Sequence, residues 1–218
     1  MTAPHRVDTI GIIGAGKSGV AIARLAIAAG YTVKIASSGT ARDTALMTGI
    51  VAPGAIAVDV PEAMSNADLV ILAVPLRRFR YLPLHLLDGR TVINVMNYWP
   101  PIDGTLPEFD VDGRPSSAVV QDALPATATL VKTFNHLGYH QMDDLPRPAG
   151  DTERIALGIA SDDDEAAALV ADFVDTVGFA PVMIGALKHS TVLQPETPLF
   201  GAAISQETFA QQAGTLST

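Results

Sequence analysis

The chain has 218 residues, 48% of them apolar, a formal net charge of -9 at pH 7 and no cysteine. Disulfides, thiolate metal sites and cysteine nucleophiles are therefore excluded, and an acidic chain without a basic tail would repel the phosphates of a nucleic acid. The polar start MTAPHRVDT lacks the apolar centre of a signal peptide, and no apolar run approaches the roughly 20 residues of a membrane span, so a cytoplasmic protein with no membrane partner is expected.

The first predicted strand, 8–14, runs into a turn with the spacing G-x-G-x-x-G and then an Ala-rich helix over 17–30. Each glycine has its own task in such a turn. Gly14 permits the sharp exit from the strand. Gly16 lets a pyrophosphate approach the backbone. Gly19 lets the helix pack close to the sheet. With Ala15, Lys17 and Ser18 between them, these residues form a candidate phosphate cradle at a helix N-terminus. A turn without a ligand is the disfavoured alternative, because strand, turn, helix and second strand follow in the right order. Lys17 either adds charge to the turn or points into solvent.

The second strand, 32–37, ends where dinucleotide-binding chains usually place a carboxylate for a ribose hydroxyl. Here stand Ser37 and Ser38, then Thr40 and Arg42. Hydroxyl donors and a guanidinium suit a 2′-phosphate, which a carboxylate would repel, so NADP is expected over NAD. The alternative is that these residues cap and solvate the next helix, 40–48, and both roles are compatible.

Strand 55–58, helix 61–66 and strand 69–75 follow, then a predicted helix over 77–87 that opens with LRRFR. Arg77, Arg78 and Arg80 meet either an anionic ligand or, as the preferred reading, bulk water, with Leu76 and Phe79 turned inward. Strand 91–97 leads through Tyr98 and Trp99 into a Pro- and Gly-rich loop, 99–117, and a helix over 117–123. The two aromatics either wall a ring pocket or anchor the loop. Strand 129–135 precedes HLGYH, where His136 and His140 stand four apart without companion ligands, so no metal site is read. After a loop over 143–153 come strand 155–160 and the clearest helix, 163–177. Ser161 can cap it, acids crowd its positive end, Leu169, Val170, Phe173, Val174 and Val177 form its apolar stripe, and Gly178 can end it. Strand 181–186 and a helix over 201–213 complete the chain. The alternation predicts an α/β, Rossmann-type, doubly wound fold with a mainly parallel sheet of about eight strands. Residues 1–187 would form the nucleotide-binding domain and 188–218 a short C-terminal extension.

The stretches IGIIGAGKSGVAIARLAIAAGYTVKIASS, ADLVILAVPL (67–76), VINVMNYWP (92–100), LVKTFNHLGY (130–139) and LQPETPLFG (193–201) resemble the F420-dependent NADP oxidoreductases, which exchange hydride between NADP(H) and a deazaflavin. The resemblance implies that Gly14 to Gly19 hold the pyrophosphate and that Ser37, Ser38 and Arg42 surround the 2′-phosphate. It implies that Ala73, Val74 and Pro75 line the nucleotide, with Met96 and Asn97 near the nicotinamide. It places the second redox partner, coenzyme F420 or a flavin, against Phe134, Asn135, His136 and Leu199. It also implies a homodimer through the C-terminal segment, where PETPLFG packs over the cleft or at the interface; packing within its own chain is the alternative.

Hydride transfer between stacked rings needs little acid–base machinery, and the sequence has no nucleophile elbow and no H-E-x-x-H. His136 or the Asn135 amide could support charge at the pyrimidine edge of the second ring; a histidine bonded to loop backbone is the equal alternative. Two rival functions are a reductase of a small imine or carbonyl and a non-catalytic NADP-sensing module. The pyrroline-carboxylate reductases share the first half but need a long helical C-terminal domain, for which too few residues remain here.

Overall fold

The computed structural model describes residues 7–109 and 114–216. The start of the chain, read above as unlike a signal peptide, and residues 110–113 of the Pro-rich loop lie outside the described residues. All eight expected strands form: β1 Thr9–Ile13, β2 Thr32–Ala36, β3 Ile56–Ala57, β4 Leu69–Leu72, β5 Thr91–Asn94, β6 Thr129–Lys132, β7 Ala156–Ser161 and β8 Ala180–Gly185. They make one sheet in the order β3-β2-β1-β4-β5-β6-β7-β8. Strands β1 to β6 run parallel; β7 turns antiparallel to β6, and β8 is parallel to β7. The carboxyl ends of the first six strands thus share one edge. Beside β1 the strand order reverses, with β2 on one side and β4 on the other, which opens a crevice at that edge.

The helices are α1 Lys17–Ala28, α2 Ala41–Val51, α3 Val60–Ser65, α4 Pro100–Asp103, α5 Ser116–Ala123, α6 Tyr139–Asp144, α7 Asp164–Thr176 and α8 Gln206–Leu216. Several differ from expectation. The helix expected over 77–87 is two 3-10 turns, Leu76–Tyr81 and Leu84–Leu87. Pro83, between them, has no N–H to continue a helical ladder. A third 3-10 turn, Leu187–Leu193, spans the boundary drawn at residue 187. The last helix starts later than expected because the chain before it runs extended beside β7: the Ala156 N–H donates to the Ile204 carbonyl at 2.9 Å. On α7 the cap is Asp163 rather than Ser161, its carboxylate accepting from the Ala166 N–H at 2.8 Å.

Strand side chains alternate between two cores, as the two-residue period of a strand requires. Ile12, Ile35, Ile71, Ile93 and Val131 face α1, α6 and α7, joined by Phe134, Phe173 and Phe179. Val70, Leu72, Val92 and Leu130 face the other way, against Met64, Phe79, Leu87 and Val120. A third cluster gathers Ala156, Val182, Val192, Leu193, Leu199, Phe209 and Ala213. The C-terminal segment therefore packs on β7 and β8 of its own chain.

Candidate functional site

The three glycines of the first turn prove to have different physical grounds. Gly14 adopts φ +120°, and a Cβ there would lie 2.3 Å from the Ala73 carbonyl oxygen. A Cβ on Gly19 would lie 1.9 Å from the Gly14 carbonyl oxygen. Both glycines are therefore demanded by the turn itself. Gly16 is not. Its φ of -80° and ψ of -173° suit any residue, and a Cβ there would meet nothing within 4 Å. The space over Gly16 is open on the ligand side of the turn. Helix α1 begins at this point with no side-chain cap and no acid in its first turn. By contrast, α2 and α7 begin with their own caps and acids: Thr40 and Asp43 on α2, Asp163, Asp164 and Glu165 on α7. The start of α1 offers uncapped N–H groups and a positive dipole to an anion.

A cleft of about 850 Å³ opens over this turn. Gly14, Ala15, Gly16, Ser37, Ser38, Ala73, Val74 and Pro75 line it, all of them expected from the sequence. The structure also brings in Asp43, Met47, Val60, Arg77, Arg78 and Tyr81. Other expected residues stand elsewhere. Lys17 is held sideways: its Nζ donates to the Tyr139 hydroxyl at 3.1 Å and lies 4.8 Å from that ring's centre. Ser18 is half-buried and Gly19 buried inside the turn. Arg42 is exposed on the first turn of α2 and is not among the lining residues. Arg77 and Arg78 reach the cleft because β4 lies next to β1, so the turn after β4 borders the glycine turn.

Hydrogen bonding divides the four hydroxyl and guanidinium residues after β2. Thr40 caps α2, accepting from the Asp43 N–H at 3.2 Å while its own hydroxyl donates to the Asp43 carboxylate at 2.7 Å. The Thr44 hydroxyl donates to the Thr40 carbonyl at 3.0 Å, which leaves the Ser37 hydroxyl to donate to Thr44 Oγ1 at 2.7 Å. Ser37 also accepts the Gly39 N–H at 3.1 Å. The Ser37 and Thr40 hydroxyl protons are thus used within the loop, whereas Ser38 is exposed at the cleft wall. A carboxylate does stand near this corner, but it is Asp43, fixed by the cap.

The ends of β5 and β6 form a tight polar knot. The Asn97 Nδ2 donates to the Asn135 carbonyl at 2.7 Å, and the Asn135 Nδ2 donates to Asn97 Oδ1 at 2.9 Å and to the Leu193 carbonyl at 2.7 Å. Asn97 is half-buried; Met96 is buried, and its carbonyl accepts from the Lys132 ammonium. Lys132 is buried, and desolvation lowers it from its usual 10.5 to about 7. The sequence reading missed this residue; the lone cation in the apolar strand run TLVKTFN was the available signal.

The face expected for a second ring is not presented at the end of β6. Phe134, His136 and Leu199 have no exposed surface, and Asn135 is buried. Phe134 takes φ +61° and packs into the core against Phe173 and Phe179. The His136 ring lies 5.4 Å from the Phe209 ring, and its Nε2 faces the Gly158 N–H at 3.5 Å. Burial lowers its pKa to about 3; the Ala156 backbone opposes this and the Lys132 charge adds to it. His136 is thus set against the backbone of β7. The C-terminal segment covers this position because Leu199 and Phe209 bury themselves there. His140 lies apart from His136, exposed on α6 and against Tyr139. Among the described residues no cluster of three or more His, Asp or Glu could hold a metal ion, and no helix is long and apolar enough to cross a membrane.

Comparison with known proteins bears out the resemblance seen in the sequence. Residues 9–98 match the family described as NADP oxidoreductase, coenzyme F420-dependent. Among solved structures, a hypothetical protein from Sinorhizobium meliloti is 29% identical, with 92% of this chain and 96% of that one covered and a TM-score of 0.78. A protein from Arthrobacter sp. FB24, provisionally described as an F420-dependent NADP reductase, is 19% identical over 98% of this chain and 96% of its own, with a TM-score of 0.68. An imine reductase from Bacillus cereus shares the fold at 16% identity and a TM-score of 0.58, over 95% of this chain but only 60% of its own. No curated protein matches.

Proposed function

We propose that the protein transfers hydride between NADP(H) and a flavin-like ring, a deazaflavin (coenzyme F420) or a flavin. The observation that carries the nucleotide half is Gly16, a glycine that neither conformation nor packing requires, at the uncapped start of a helix. A backbone left bare on the ligand side is what close approach by a pyrophosphate needs. Bound NADPH would supply the hydride; the protein's part is binding, orientation and exclusion of water. The N–H groups at the start of α1 receive the pyrophosphate. Ser38 and the guanidiniums of Arg77 and Arg78 face the remaining phosphate charge. Met47 and Val60 give the adenine an apolar wall. Ala73 to Pro75 carry the ligand past the end of β4 toward Asn97, which its bonds to Asn135 hold still. Preference for NADP over NAD rests on Ser37 and Ser38 standing where a ribose-binding carboxylate would be, and on the arginines across the cleft.

The test is a panel of acceptors. Purified protein mixed with NADPH should consume it when given a deazaflavin or riboflavin, and leave it intact with a simple cyclic imine. Consumption with the imine alone would move the protein to the imine reductases. Binding of NADPH without turnover on any acceptor would make it a sensing module.

A further inference from the structure

A second recess adjoins the nucleotide cleft, and the reading above gives it no work. It measures about 560 Å³ and lies between the 3-10 turn Leu76–Tyr81 and residues 106–109. Arg77, Arg78 and Tyr81 line both cavities, so the two adjoin; Arg80, Glu108 and Phe109 line only the second. Three guanidiniums within four residues and one carboxylate line it; Arg77 and Arg78 are shared with the nucleotide cleft, and Arg80 belongs to the recess alone. Arg77 and Arg80, three apart on a 3-10 turn, stack one above the other. Leu76 and Phe79 are buried, which turns the arginines outward to the recess. Phe109 closes its floor at 5% exposure, with the Arg80 guanidinium 6.0 Å from the ring centre and 3.3 Å from Glu108. Tyr81 stands 82% exposed at the rim. Among the described residues no carboxylate pairs with Arg77 or Arg78.

We propose that this recess receives an anionic group, a phosphate or carboxylate, carried on the side chain of the second redox partner, and so admits that partner from the Arg80 side of the cleft. The inference rests on the hydride-transfer reading and deepens it. Two observations meet in it. The end of β6 is closed by Leu199, Phe209 and buried His136, so a second ring has no entry there. The Arg80 side adjoins the nucleotide cleft through Arg77, Arg78 and Tyr81, and Arg80 adds the charge that an anionic tail needs. Guanidinium forks bind phosphate and carboxylate in pairs of bonds, and Tyr81 offers an aromatic face beside them. Glu108 holds Arg80 until an anion competes for it.

The test uses two rings that differ in one phosphate. Riboflavin and FMN are titrated separately into protein saturated with NADP+, read by calorimetry, and then compared as acceptors for NADPH. FMN should bind about tenfold tighter than riboflavin, with an advantage that shrinks as salt is raised. Arg80→Gln should cut that advantage to about threefold or less, and Glu108→Gln should widen it. A flavin bearing a carboxylate in place of the phosphate reports which anion is preferred. A purely structural ion pair predicts something else: both substitutions would loosen the 106–109 loop and shift both rings alike. Because Arg80→Gln also removes packing on Phe109, Glu108→Gln supplies the independent arm. Equal affinity for the two rings, or an advantage untouched by either substitution, overturns the recess. Selective FMN binding without turnover supports the recess and overturns a flavin as the hydride acceptor. Turnover equal on both rings supports hydride transfer and overturns the recess.

Discussion

Replacing Gly16 by alanine separates ligand binding from folding. The Gly16 backbone already lies in a region open to alanine, and the added methyl would meet nothing within 4 Å. Restricting the unfolded chain gains about 0.4–1 kcal/mol. Alanine is a poorer helix N-cap than glycine, which costs a similar amount. Net stability should therefore stay within about 1 kcal/mol of the parent. The methyl would stand where the pyrophosphate must approach, and losing one charge-assisted bond costs about 1.5–3 kcal/mol, or roughly ten- to a hundredfold in affinity. Urea denaturation and calorimetric titration with NADP+ measure the two effects on one preparation. Gly14→Ala and Gly19→Ala serve as contrasts: their methyls would lie 2.3 Å and 1.9 Å from carbonyl oxygens, so both should fail at folding. An affinity for Gly16→Ala within about twofold of the parent would refute the argument that the bare backbone exists for a ligand.

Other outcomes follow from the site. Arg78→Ala should weaken NADPH more than Arg42→Ala does, since Arg78 lines the cleft and Arg42 does not; the ratio of NADPH to NADH affinity checks this. Asp43→Asn should raise NADPH affinity severalfold by removing a carboxylate from the cleft wall, while costing α2 about 1 kcal/mol through its cap. His136→Ala should lower stability by about 2–4 kcal/mol, because the ring is buried against Phe209, and should not act chiefly on the transfer rate. Lys132 holds its proton less tightly folded, at about 7, than unfolded, near 10.5. Between these values the unfolded chain binds more protons, so this group makes stability rise with pH, by at most about 1.4 kcal/mol per unit. Lys132→Met should flatten that rise in denaturation midpoints taken across the window.

The central strands were readable because they are short apolar runs buried on both faces, and the glycine turn because its spacing falls between a strand and a helix. Thr40 was readable both as a cap and as a ligand residue, and its bonds put it in the cap. The choice between Arg42 and the pair Arg77 and Arg78 was not local. It depends on β4 lying beside β1, which no window of sequence around either arginine contains. His136 and Leu199 were placed at a ligand face by the resemblance, His136 also because it follows a strand's carboxyl end. What buries them is Phe209, more than seventy residues beyond His136 in the chain. The single helix expected over 77–87 failed at Pro83, a signal that was present and outweighed by the apolar spacing around it.

The central claim is that the cleft over Gly16 takes a dinucleotide and prefers the one with the extra phosphate. Titrating NADP+ and NAD+ separately into the unmodified protein, with heat of binding as the readout, tests it most directly. The account predicts one saturable site per chain and tighter binding of NADP+. Failure of both nucleotides to bind, or tighter binding of NAD+, would contradict it.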